Sequence, residues 1–177
     1  MRRSGSRNVR IMFHDEARFG RINRSRYCWC KKESVRAFPV IISVSIATLT
    51  ARSTLTGDSF FLILPSCDTV CMNLFLDRLS KAYADDMILI CCDNAGWHKS
   101  KGLKLPENIV LFYLPPCTPE MNPIEQIWKE LRGRGFRNEI FPTLDDVVQR
   151  LCKVILSLSK QTVRSITARD WIIQCFN

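Results

Sequence analysis

Residues 87–98 read MILICCDNAGWH: six apolar residues in a row, then Asp93 and Asn94, then Gly96. An unbroken apolar run of this length, closed by a turn-forming segment, marks a strand buried on both faces. A second such run, IVLFYL, occupies residues 109–114. Ahead of the first, Asp68 is placed to cap a helix whose apolar face carries Cys71, Leu74, Phe75, Leu79 and Tyr83. Apolar strands interleaved with amphipathic helices predict a sheet covered by helices.

Working outward, residues 9–13 form a short apolar run that enters His14-Asp15-Glu16. Residues 37–50 are rich in Val, Ile and Thr and read as a long strand; Gly57-Asp58 supplies a turn, and residues 59–64 give a further strand stopped by Pro65. Beyond Pro115-Pro116 the pattern turns helical. Asn122-Pro123-Ile124-Glu125 has the form of a helix start, with Asn as cap and Pro at the first helical position. Ile124, Ile127, Trp128 and Leu131 make its apolar face, and Gly133 and Gly135 end it. Residues 143–158 predict a second helix, opened by Thr143 with Asp146, and residues 167–176 a last short one. The expected fold class is α/β, one mixed five-stranded sheet flanked by helices, with residues 1–177 forming a single domain.

Hydrophobic residues make up 46% and charged residues 24%, the balance of a soluble globular chain. No apolar run reaches the ~18–20 residues of a membrane span, and no apolar signal segment follows the basic first residues, so the expectation is a cytoplasmic protein with no membrane partner. There are nine cysteines but no C-x-x-C pair, and only His14 and His98 could add imidazole. Reduced, mostly buried thiols are expected, not structural zinc.

The net charge is +9, of which residues 1–36 carry +8, including Arg18, Arg21, Arg24, Arg26, Lys31 and Lys32. A second basic knot holds Lys129, Arg132, Arg134 and Arg137. Clustered Arg beside Tyr27 and Trp29 suits a polyanion such as nucleic acid, although a solvated basic segment would show the same charge.

Three carboxylates sit where strands end or a helix begins: Asp15, Asp93 and Glu125. Acids at the ends of neighbouring strands can converge on one edge of a sheet. Hard oxygen ligands suit Mg²⁺ or Mn²⁺, and two such ions ~3.5–4 Å apart could activate the attacking oxygen and stabilise the leaving oxygen of a phosphodiester displacement. Asn94, His98 and Asn122 are further candidates for orienting water, metal or substrate. Plainer readings stay open: Glu125 completing a capping box with Asn122, Asp93 opening a polar turn, Asp15 paired with Arg18. The histidines could be local hydrogen-bonders, and Trp29, Trp97 and Trp128 packing residues.

The blocks MFHDEARFG (12–20), CCDNAGWHKS (91–100) and YLPPCTPEMNPIEQIWKELR (113–132) occur in that order. Together they resemble the mariner-like superfamily of transposases, and more closely its bacterial insertion-sequence branch. The resemblance implies a ribonuclease-H-like core with an Asp-Asp-Glu triad, assigned to Asp15, Asp93 and Glu125. It implies divalent-metal-dependent cleavage at element ends, then attack of the freed 3′-hydroxyl on target DNA at a short TA-containing site, by a homodimer. The 31 residues between Asp93 and Glu125 are slightly few for the family and imply a trimmed loop near residues 101–108. Such transposases carry N-terminal helix-turn-helix domains, and none is expected here, since Asp15 comes so early. Two rivals are retained: a DNA-binding or dimerising fragment without catalysis, and a phosphate-handling domain with Asp15 or Asp93 as nucleophile.

Overall fold

The computed structural model describes residues 8–21, 45–53, 56–116, 118–170 and 174, with only the backbone of 45–53 and Trp97. Five strands, β1 (Asn8–Gly20), β2 (Ser45–Ser53), β3 (Ser59–Leu64), β4 (Asp86–Cys92) and β5 (Ile109–Tyr113), lie in the order β3-β2-β1-β4-β5. β1, β4 and the edge strand β5 run parallel; β2 pairs antiparallel with β1 and β3 antiparallel with β2. The helices are α1 (Thr69–Ala82), α2 (Ile124–Gly135), α3 (Leu144–Leu156) and α4 (Lys160–Thr167).

The first strand is longer than its apolar run suggests. It continues through Asp15 to Gly20 because β2 supplies an antiparallel partner along Met12 to Gly20. On its other edge, the pairing with β4 stops at Phe13 opposite Cys91. Asp15 therefore sits inside a strand with one paired edge and one open edge, not past the end of a strand. That open edge, left where β4 gives out, is what makes room for a site.

Alternation along β1 sorts its residues between two cores. Phe13, Ala17 and Phe19 face the layer of α2 and α3, packing with Trp128, Leu131, Phe136 and Leu151. Met12 faces α1, with Phe75, Leu76, Leu79, Ile88 and Ile90. Each fully buried side chain of this size contributes roughly 1.5–3 kcal/mol relative to exposure.

The expected helix starts hold in two cases. Asp68 accepts a 2.8 Å bond from the Cys71 amide, and Thr143 and Asp146 cap α3 reciprocally. In α1 the buried stripe is Cys71, Met72, Phe75, Leu76 and Leu79, while Leu74, expected on it, is exposed. α2 begins at Ile124, with Pro123 just before its first turn, and runs through Gly133 to Gly135. At Gly135 a Cβ would lie 2.4 Å from Cγ2 of Val154, so the residue is fixed by the close crossing of α2 on α3. α4, capped by Ser159, adds a helix beyond the expected ones; half of the helix expected over 167–176 lies outside the described residues, as does the 37–44 part of the strand expected over 37–50, whose remainder is in β2. Gly57 takes φ +74°, the left-handed conformation the predicted turn needs.

Cys71, Cys91 and Cys92 are buried, Cys67 is partly buried, and Cys152 is exposed; all five are free. Burial pushes the Cys91 thiol up to about 11, away from the thiolate a metal would require. No helix among the described residues is long and apolar enough to cross a membrane.

Candidate active site

Asp15, Asp93 and Glu125 come from three elements and line one cleft of about 410 Å³. Asp15 projects from the open edge of β1, Asp93 follows β4 directly, and Glu125 stands in the first turn of α2. Leu114, Pro115, Pro116 and Pro119 form part of the wall, so much of the rim is stiff backbone. Only half of the expected capping box forms: the Asn122 side chain accepts from the Ile124 amide, but the Asn122 backbone amide bonds to the Pro119 carbonyl and not to Glu125, which is exposed at the cleft.

Asp15 is largely enclosed. Trp128 Nε1 donates to its Oδ2 at 2.8 Å, so the indole, one turn after Glu125 on α2, spans from the core to the site. Burial pushes the Asp15 carboxyl up to about 7; the Trp128 bond opposes this, and the nearby charges of Glu16 and Glu125 add to it. A carboxylate held up by burial and by neighbouring negative charge is a group that a divalent cation would relieve. On that observation the three acids fit Mg²⁺ or Mn²⁺, both hard cations that take oxygen ligands.

Asn122 is buried and ties the helix start to the strand. Its Nδ2 donates to the His14 carbonyl at 3.0 Å, and its Oδ1 accepts from the Ile124 amide at 3.2 Å. Asn94 donates to the Leu114 carbonyl at 2.6 Å, joining the loops that follow β4 and β5. Both therefore hold the walls in place. His98, in the 3₁₀ turn Gly96–Lys99, is buried between two carboxylates, with Nε2 3.0 Å from Glu16 Oε1 and Nδ1 3.0 Å from Asp93 Oδ1. Burial alone would lower its affinity for a proton. Bonds to the Cys92 thiol and to Glu16 outweigh that and raise it to about 10.

His14, by contrast, is completely buried against Phe75, with both ring nitrogens unpartnered among the described residues, and burial lowers it to about 4. His14, Glu16 and His98 offer metal-ligand chemistry, with ligand atoms within 4.8 Å of one another. Within this cluster, Glu16 and His98 hydrogen-bond to each other at 3.0 Å, and His14 packs edge-on against His98 at 5.3 Å.

The basic residues divide. Lys129, Arg134 and Arg137 line a groove beside α2, joined there by Arg169, which composition gave no reason to single out. Arg134 also pairs with Glu130 at 2.7 Å, and Arg132 stacks over Phe19 at 5.2 Å. Arg18 bonds to Cys67, which leaves its pairing with Asp15 unsupported, and Arg21 Nε donates to the Phe141 carbonyl at 3.0 Å. Arg24, Arg26, Lys31 and Lys32 lie outside the described residues. Sequence reasoning passed over Glu16 and the polar end of Trp128. For Trp128 a signal existed, the i,i+3 spacing from Glu125, which puts both on neighbouring helix faces.

A family model described as DDE superfamily endonuclease matches residues 10–148. The uncharacterized protein y4pE/y4sA of Sinorhizobium fredii (strain NBRC 101917 / NGR234) is 38% identical over 118 residues, 65% of this chain and 87% of that protein. A pre-cleavage Mos1 transpososome matches with TM-score 0.71 at 12% identity, over 89% of this chain and 52% of the other. The Mos1 paired-end complex with the left transposon end matches with TM-score 0.69 at 12% identity, over 89% and 51%. At such identities the likeness is one of fold, and the chain spans about half the length of those Mos1 chains. Kinship is carried by the family match over most of the chain: this protein belongs to the DDE superfamily endonucleases.

Proposed function

We propose that the chain is the catalytic core of a DNA transposase with a ribonuclease-H-like fold, residues 1–177 forming one domain. Asp15, Asp93 and Glu125 would hold two divalent ions, Mg²⁺ or Mn²⁺. The reading rests on one observation: three acids far apart in sequence line a single cleft at the open edge of the central strand. Mos1 paired-end complexes with Mn and with Mg share the fold. Bound there, the ions would polarise the scissile phosphate and favour attack by water, and later by a 3′-hydroxyl.

The chain's own residues do the positioning. Trp128 holds Asp15, Asn122 fixes the start of the helix that bears Glu125, and Asn94 braces the wall between the strand ends. Lys129, Arg134, Arg137 and Arg169 would take phosphates along the groove beside α2, and Arg18, Arg21, Arg24, Arg26, Lys31, Lys32 and Arg132 extend that charge. Cleavage breaks the P–O3′ bond at an element end; water supplies the oxygen left on the 5′-phosphate, and the proton stays with the released 3′-hydroxyl. In the second step that hydroxyl attacks a target phosphodiester, the new P–O bond forming as the target's own P–O3′ bond breaks and its 3′-oxygen leaves with the proton, and a homodimer brings two ends together.

The test is Mn²⁺ titration and supercoiled-plasmid nicking, in parallel, for wild type and Asp93→Asn. Metal-dependent nicking that disappears in the variant supports the reading. Full nicking in Asp93→Asn, or no metal binding by either protein, removes it and favours a DNA-binding fragment.

A further inference from the structure

Asp93 is more than half exposed at the end of a strand, where a lone aspartate would sample several rotamers. Its Oδ1 nevertheless accepts from the Ala95 amide at 3.0 Å, and His98 Nδ1 lies 3.0 Å from that same oxygen and 3.1 Å from the Asp93 carbonyl oxygen, so the ring meets both the side chain and the backbone of Asp93. The other ring nitrogen, Nε2, meets Glu16 Oε1 at 3.0 Å. Glu16 follows Asp15 on β1, but alternation sends it to the opposite face of the strand, into the α1 layer. The ring is held from its surroundings as well: the Tyr113 hydroxyl donates to the His98 carbonyl at 2.7 Å, the His98 amide bonds to the Ala95 carbonyl at 3.0 Å, and His14 packs edge-on at 5.3 Å.

We propose that Glu16 and His98 are positioning residues that fix Asp93 from behind the sheet, committing its Oδ1 and presenting Oδ2 to a divalent cation in the cleft. Held at both ring nitrogens, by Glu16 on one side and Asp93 on the other, the imidazole has a fixed orientation. Outer hydrogen bonds of this kind orient a ligating carboxylate and raise metal affinity. The arrangement links the two adjacent acids of β1 in one task. Asp15 faces the cleft directly, and Glu16 acts on Asp93, 77 positions further along the chain, through a single side chain.

This inference rests on Asp93 being a metal ligand, so Asp93→Asn is measured alongside. The readout is the Mn²⁺ dissociation constant of the full chain, by electron paramagnetic resonance, with circular dichroism to verify folding. His98→Ala and Glu16→Ala are expected to weaken Mn²⁺ binding by about 10–100-fold. His98→Asn, whose amide can still donate to Asp93 from the position of Nδ1, recovers most of that loss, which a merely structural role for the ring would not produce. Glu16→Gln keeps shape and acceptor and serves if the alanine variants fail to fold; it weakens binding several-fold at unchanged melting temperature. Wild-type Mn²⁺ affinity in folded Glu16 and His98 variants, with binding lost in Asp93→Asn, overturns the positioning role alone. Undiminished binding in Asp93→Asn overturns the metal triad and the positioning role with it.

Discussion

Trp128 Nε1 donates a 2.8 Å hydrogen bond to Asp15 Oδ2, joining the core of α2 to the carboxylate at the open edge of β1. The two residues are 113 positions apart, and the indole is otherwise enclosed by apolar side chains of the α2–α3 layer. One side chain therefore both packs the helix that carries Glu125 and fixes the acid opposite it.

Trp128→Phe keeps most of the packing and deletes this donor. A bond to a charged group is worth about 1.5–3 kcal/mol, and we expect stability at pH 8 to fall by that order, plus a smaller packing loss. Without the bond that lowers it, the Asp15 carboxyl rises further, so Mn²⁺ binding at pH 7 weakens several-fold. Denaturant unfolding and metal titration measure the two effects; a variant equal to wild type in both would show the bond to be incidental.

The pH dependence of metal binding isolates Asp15. Its carboxyl stands at about 7 in the fold, raised from the ordinary 3.8, so the stability it contributes is complete below the lower value and lost as pH rises through about 7. His14, lowered from 6.5 to about 4, acts in the opposite sense: its contribution is complete above 6.5 and lost as pH falls through about 4. The two oppose each other over the shared interval, which makes melting curves ambiguous there. Metal binding must displace the Asp15 proton, so Mn²⁺ affinity should drop about tenfold per pH unit below 7 and level off above it. Calorimetric titrations at pH 6, 7 and 8 that gave one constant affinity would exclude Asp15 as a buried ligand.

Gly135→Ala drives a methyl group against Val154, whose Cγ2 lies 2.4 Å from the position of the new Cβ. Overpacking at a helix crossing costs about 1–3 kcal/mol, and Val154→Ala in the same chain should recover part of it. Urea denaturation of both single variants and the double variant reads the coupling. Strict additivity would mean that the two helices do not meet at this point.

Lys129 and Arg137 line the groove beside α2 with Arg134 and Arg169. If they contact phosphates, replacing either with Ala lowers the slope of log affinity against log salt by about 0.9 on duplex DNA, without changing sequence preference. Fluorescence anisotropy across a salt series measures this. Unchanged slopes would put the DNA track elsewhere on the surface.

The parallel strands, the caps of α1 and α3, and three acids that come to line one cleft were legible in the sequence, because each leaves a local mark. The apolar run at 87–92 marks a buried strand, whereas the run at 109–114 marks a strand but not its burial, since β5 lies at the sheet edge with Val110 and Phe112 half exposed; Asp68 and Thr143 sit immediately before helical periodicity, and acids stand in strand-end or helix-start blocks. The full length of β1 was not legible. His14-Asp15-Glu16 reads locally as a polar break, and only an antiparallel neighbour that satisfies the backbone out to Gly20 keeps the strand going. α4 and the exposure of Leu74 escaped for a related reason, since propensity and spacing do not say which neighbour will cover a face.

By itself the sequence determined which side chains have the chemistry for the site and which elements carry them. Tertiary structure alone decided that the pairing of β1 with β4 stops two residues short of Asp15, opening an edge of the sheet there, and that Trp128 reaches Asp15 while His98 bridges Glu16 and Asp93. Hydrogen bonds between residues 82 and 113 positions apart leave no trace in local pattern. They exist because strand alternation and the docking of α2 bring the partners within 3.0 Å, in surroundings dry enough to hold them.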